Sequence, residues 1–284
     1  SQLNSFNIQA QLPKGTSYLT LFTIGLVRYE AEDYEAAIAR FTKALEFVPD
    51  AEQGIAQDPN LDALYFYRGV AYFDKGELDL AITDYNRALE INPELVEAYI
   101  GRGLAYYTKG ELDKALADYN QALKFNPELV EAYTNRGVAY YEKGELDLAI
   151  ADFTQALKIN PEFVIAYNNR GNVYSEKGEL DQAIADYTQA IKINPEYANA
   201  YNNRGIAYSD KGELDQAIAD YNQAIKINPE DADAYYNRGN AYSNLGNKQK
   251  AIQDLKKAAK LFAEQGNTAI QQQVLKRLKQ LEQD

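Results

Sequence analysis

The 284-residue chain carries 42 Asp and Glu against 29 Lys and Arg, and it has neither His nor Cys. A net charge of −13 argues against nucleic acid as a partner, because affinity for phosphates rests largely on Lys and Arg. Without His or Cys the commonest general base, the commonest metal ligand, thiol nucleophiles and disulfides are all excluded, so no enzyme activity, metal or cofactor is expected. No apolar run approaches the length of a membrane span; the longest patch, Tyr18 to Val27, is broken by Thr20, Thr23 and Gly25. An apolar fraction of 46% with 25% charge suits a folded soluble chain, for which a cytoplasmic setting is the expectation. The chain starts at Ser1 and lacks Met, which reads as an excised or processed segment with no visible signal peptide.

Residues 1–17 are polar and aperiodic, with Phe6, Ile8 and Leu12 as their large apolar groups, and read as a tail, linker or short end cap. From residue 18 a 34-residue period takes over, in seven frames: 18–51, 62–95, 96–129, 130–163, 164–197, 198–231 and 232–265. Residues 52–61 are an insertion between the first two. Each frame predicts two helices. In 96–129, Tyr99, Gly103 and Tyr106 share one face of a first helix, Gly110 breaks it, and Ala115, Tyr119 and Ala122 share one face of a second. Glu111 and Asp113 sit where carboxylates suit the positive end of that second helix, so the recurring Gly-Glu-Leu-Asp acids read as solvated dipole partners. Asn126-Pro127 ends it. Small residues set against Tyr predict a close approach of the two helices.

Numbered within each frame, the aromatic at 4, Gly at 8, Tyr at 11, Ala at 20, aromatic at 24, Ala at 27 and Pro at 32 resemble the tetratricopeptide repeat signature. The resemblance runs from residue 18 to 265, and the repeat wording is similar to arrays of cyanobacterial type. It implies an all-α, right-handed superhelical solenoid of helix-turn-helix repeats. The first frame departs from the pattern with Leu21 at 4, Arg28 at 11 and Glu32 in place of Gly. The last frame has Ala263 in place of Pro, so its second helix is expected to run on. Residues 266–284, with Ile270, Val274, Leu278 and Leu281 on one stripe, are expected to form the C-terminal capping helix such an array needs.

On a helical wheel, positions 2, 5, 6, 9, 12 and 13 of each first helix form the face opposite the partner helix, and the resemblance assigns that face to a concave, partner-binding groove. It is apolar and aromatic in the first three frames: Phe22, Leu26 and Tyr29; Phe66, Tyr67, Val70 and Phe73; Ile100, Leu104 and Tyr107. Asn135, Val138 and Tyr141 are transitional. It then becomes rich in amides, with Asn168, Asn169, Asn172, Asn202, Asn203, Asn237 and Asn240. The first zone would anchor an apolar side chain or helix, and the second would grip an extended peptide backbone, since an amide both donates and accepts. The asparagines at position 6 are similar to the ladder in the repeat arm of protein O-linked N-acetylglucosamine transferases; the rival reading has them bonding within the array.

Arg at position 7 recurs with Asp at position 23, as in Arg204 with Asp220, and the first frame lacks both, which favours a structural pair over an anion site. Positions 2, 5 and 6 hold no Lys or Arg, so the family's grip on the acidic C-terminal tails of heat-shock chaperones is not expected. The expected function is a non-catalytic protein interaction scaffold that takes a protein or peptide in its groove. The alternatives are a substrate-recognition arm of a larger enzyme and a self-assembling module.

Overall fold

The computed structural model describes residues 18–48 and 60–283, and every described element is an α-helix. Residues 1–17 and most of the 52–61 insertion lie outside the described residues. The chain divides into two compact units, residues 1–139 and 140–284.

In the first unit, α1 (Tyr18–Glu30) pairs with α2 (Tyr34–Leu45), α3 (Leu61–Asp74) with α4 (Leu78–Ile91), and α5 (Val96–Thr108) with α6 (Leu112–Phe125); α7 (Val130–Glu142) follows them in the chain. The second unit continues with α8 (Leu146–Ile159), then pairs α9 (Val164–Glu176) with α10 (Leu180–Ile193), α11 (Ala198–Asp210) with α12 (Leu214–Ile227), and α13 (Ala232–Asn244) with α14 (Lys248–Glu264), and closes with α15 (Thr268–Gln283).

The turn inside each pair follows from its glycine. Gly110 takes φ 77°, a left-handed conformation that ends α5 while its N–H donates to Tyr107 O at 2.8 Å and Glu111 N–H donates to Tyr106 O at 2.9 Å. Glu32 adopts φ 58° at the equivalent place in the first pair, a strain of about 1–2 kcal/mol for a residue with a Cβ. Between pairs, each Asn-Pro-Glu closes an Asx turn: Glu128 N–H donates to Asn126 Oδ1 at 3.1 Å, and Glu196 N–H to Asn194 Oδ1 at 3.0 Å.

Within a pair the first helix rests on the aromatic of the second. A Cβ on Gly103 would lie 2.6 Å from the Tyr119 ring, so the glycine sets the helix separation, and Tyr119 is fully buried. Phe41 takes that place in the first pair, and Leu21, which stands at position 4 of α1 where the other first helices have Tyr, is fully buried as well. At the other end, α14 has 17 residues against 14 for α12, as the loss of the proline predicts. On α15, Val274, Leu278 and Leu281 are buried, with Ile270 packed beside them.

The repeated arginines brace this packing. Arg204 Nε and Nη2 donate to the two oxygens of Asp220 at 2.8 and 2.7 Å, and Nη1 donates to Thr188 Oγ1 of the preceding pair at 2.9 Å. The guanidinium carbon lies 5.8 and 5.9 Å from the ring centres of Tyr201 and Tyr208. Arg68, Arg102, Arg170 and Arg238 make the same forked bond to Asp84, Asp118, Asp186 and Asp254. Hydrogen bonding to Asp220 raises the Arg204 pKa further, against the lowering pull of burial. Burial pushes the Asp84 carboxyl above its ordinary value, with Arg68 opposing it. The guanidinium forks therefore serve the scaffold.

Candidate functional site

The residues expected on the partner-binding face divide between the two units and meet different surroundings. In the first unit, Phe22 packs its ring 5.7 Å from Tyr67, and Phe66 meets Tyr67 edge-on at 5.2 Å. Beside this ring cluster a cavity of about 630 Å³ opens between α1, α3, α5 and the start of α7. Tyr29, Phe66, Val70, Phe73, Ile100 and Leu104 line it, so the sequence places six of its lining groups. Phe22, Leu26, Tyr67, Tyr107 and Asn135 are half-buried on the same helices without lining it. Ile100 is 6% exposed and forms the floor of the cavity rather than open surface. Tyr29 donates to Asp74 Oδ2 at 2.6 Å; burial, assisted by this carboxylate, raises its pKa and keeps the phenol neutral.

The remaining lining residues were not legible as site residues: Asp74, Tyr85, Glu94, Val96, Glu97, Gly101, Asn126, Leu129 and Glu131. One signal was available. Gly101 is the single glycine at position 6, where the other frames have Thr23, Tyr67, Asn135, Asn169, Asn203 and Asn237. A Cβ there would fall 2.7 Å from Tyr85 Cζ, so its absence lets the cavity reach the Tyr85 ring.

In the second unit the asparagines bond to one another. Asn203 Nδ2 donates to Asn168 Oδ1 and to Asn172 Oδ1, both at 3.1 Å, and Asn237 Nδ2 donates to Asn202 Oδ1 at 3.1 Å. Asn172 Oδ1 also accepts from the Tyr187 hydroxyl at 2.8 Å. Asn168 is 5% exposed and is a buried member of this network. Asn169 and Asn240 remain half-buried on α9 and α13. Tyr141 hydrogen-bonds Glu176, which, with burial, raises its hydroxyl to about 12.

The acids of the Gly-Glu-Leu-Asp turns are ion-paired rather than merely solvated. Lys211 Nζ lies 2.7 Å from Asp181 of the preceding pair and 3.0 Å from Glu213, and Lys109 joins Asp79 and Glu111 in the same way. These exposed pairs are screened by solvent and add little to stability.

Among the described residues no helix is long and apolar enough to cross a membrane. No match to a curated protein is found. Among solved structures, a tetratricopeptide repeat protein from Parabacteroides merdae ATCC 43184 is similar over 92% of this chain and 98% of its own, with 26% identity and a TM-score of 0.71. The crystal structure of MamA is 30% identical over 58% of this chain and 96% of its own, with a TM-score of 0.54. YrrB, a TPR protein with an unusual peptide-binding site, is 25% identical over 68% of this chain and 95% of its own, with a TM-score of 0.54. The family model for the TPR repeat matches residues 69–110, 103–144, 139–178, 171–212 and 207–246, and that for the tetratricopeptide repeat matches 232–264. With its paired helices, its Arg and Asp braces and these matches, the chain belongs to the tetratricopeptide repeat family, whose fold typically mediates protein–protein interactions.

Proposed function

We propose that the chain is a non-catalytic interaction scaffold that binds a peptide or helix of a partner protein on the first-helix face of its first unit. The observation that carries this reading is the 630 Å³ cavity on that face, within the size range of ligand sites and floored by Phe66, Val70, Phe73, Ile100 and Leu104. Half-buried aromatic groups beside such a cavity gain free energy when a partner's apolar side chain covers them. The similarity to YrrB, a protein with a peptide-binding site, is consistent with it.

The second unit takes a lesser part in the proposal, because Asn168, Asn172, Asn202, Asn203 and Asn237 already bond within the array. Residues 18–265 form seven repeats in this reading, and α15 ends the array as a cap, covering α14 with its apolar stripe and turning its polar face outward.

The test is a peptide-display selection against the wild-type chain, followed by affinity measurements on Phe66→Ala with Phe73→Ala. Each Phe contributes about 1.5–3 kcal/mol when fully buried, so the double variant should lose most capture while its helical circular dichroism persists. Unchanged affinity for every selected peptide, both in this variant and in Asn169→Ala with Asn203→Ala, would reject the reading.

A further inference from the structure

The chemistry of the occupant is written on the mouth and floor of the same cavity. Asp74, Glu94, Glu97 and Glu131 line it, and no Lys or Arg does. None of the four takes part in an ion pair among the described residues, although neighbouring acids such as Asp79, Asp84 and Glu111 are all paired. Asp74 accepts a bond from neutral Tyr29, which leaves its charge unbalanced. Carboxylates gathered around an apolar, low-dielectric recess focus a field that attracts cations.

The floor supplies an independent sign of a ligand. Tyr85 is 1% exposed, borders the cavity, and its hydroxyl has no hydrogen-bond partner among the described residues. The equivalent Tyr187 hydroxyl is satisfied by Asn172, fifteen residues before it, whereas the residue at that place before Tyr85 is Val70. Gly101 exposes this phenol to the cavity, because any larger side chain there would meet the Tyr85 ring. The ring is buried while its hydroxyl opens on the recess, where it can meet a polar group of an occupant.

Resting on the function proposed above, we infer that the cavity selects a basic, apolar segment of a partner protein. Its large apolar side chain sits among Phe66, Ile100 and Leu104, a backbone or side-chain acceptor meets the Tyr85 hydroxyl, and flanking Lys or Arg residues meet Glu97 and Glu131. The cavity exceeds the volume of one side chain, which suits two apolar groups one helical turn apart.

The experiment is fluorescence anisotropy with three short dye-labelled peptides. The first carries Phe and Leu one helical turn apart between lysines, the second replaces its lysines with Glu, and the third replaces Phe and Leu with Ala. The lysine peptide should bind the wild-type chain tightest and weaken with added salt. Glu97→Lys with Glu131→Lys, an exposed pair whose change leaves the core untouched, should reverse the order of the first two peptides by about fivefold or more. Tyr85→Phe, a change the chain itself makes at Phe41 and Phe153, should weaken the lysine peptide by about fivefold with its helical signal intact.

Equal binding of the lysine and glutamate peptides, unmoved by either variant, overturns the charge selection and leaves the apolar face standing. Equal binding of the first and third peptides, or binding of none, removes the apolar anchoring and with it the broader function. A mass that doubles with concentration and falls back when the lysine peptide is added would make a second copy the occupant and overturn the partner assignment.

Discussion

The two units are written in the same 34-residue wording, but they finish the outer face of their first helices in opposite ways. Residues 140–284 close it with amides: Asn203 reaches back to Asn168 and Asn172, and Asn172 also satisfies the Tyr187 hydroxyl. Residues 1–139 carry hydrocarbon there, with Leu104 at the position of Asn172, and the Tyr119 hydroxyl is buried without a partner. Amides that face each other fill their hydrogen-bonding capacity inside the array. Rings cannot satisfy one another in that way, and with Gly101 among them they leave a recess whose apolar surface stays available to a partner. One repeat wording thus yields both a self-satisfied region and a receptive one, and a change of a few side chains per repeat separates them.

The largest effects should show what the units share. Arg102→Leu and Arg204→Leu each strand a nearly buried carboxylate, on Asp118 and Asp220, and should cost about 3–5 kcal/mol in urea unfolding. Similar losses in both units would mark the brace as common scaffold. Loss of peptide capture by Arg204→Leu with stability unchanged would instead make the arginine a ligand contact.

A smaller effect should separate the units. Asn203→Ala removes two hydrogen bonds and strands the carbonyl of buried Asn168, so thermal unfolding should report a loss of about 1–3 kcal/mol. Capture of an apolar peptide by the first unit should not change.

The finest contrast lies in two tyrosines at the same repeat position. Tyr187→Phe loses the bond to Asn172 and should cost about 1 kcal/mol, whereas Tyr119→Phe removes a buried hydroxyl that bonds to nothing and should be neutral or slightly stabilising. Equal costs for the two changes would contradict the distinction between the faces.

The helices were legible because their signals are local. Gly110 with its positive φ and Asn126-Pro127 with its Asx turn punctuate the chain within a few residues of the bonds they make. The Arg and Asp brace was also legible, since both partners recur in step and are missing together from the first frame. A wheel located Phe66, Phe73 and Leu104 for a related reason: an apolar stripe is a property of one helix. What escaped depends on stacking between repeats. Lys211 meets Asp181 across thirty residues, and Glu131 reaches the cavity from α7; no single helix specifies either encounter. Ile100 and Asn168 lie on the expected face yet are buried, Asn168 where Asn203 of the next repeat bonds to it.

The most direct test compares the faces with one ligand. Anisotropy titrations of an apolar, lysine-flanked peptide against Phe66→Ala with Phe73→Ala, and against Asn169→Ala with Asn203→Ala, assign the binding to one unit. Binding should be lost in the first double variant and stay near wild type in the second. Loss in the asparagine variant with full binding in the phenylalanine variant would place recognition on the amide face and contradict the account.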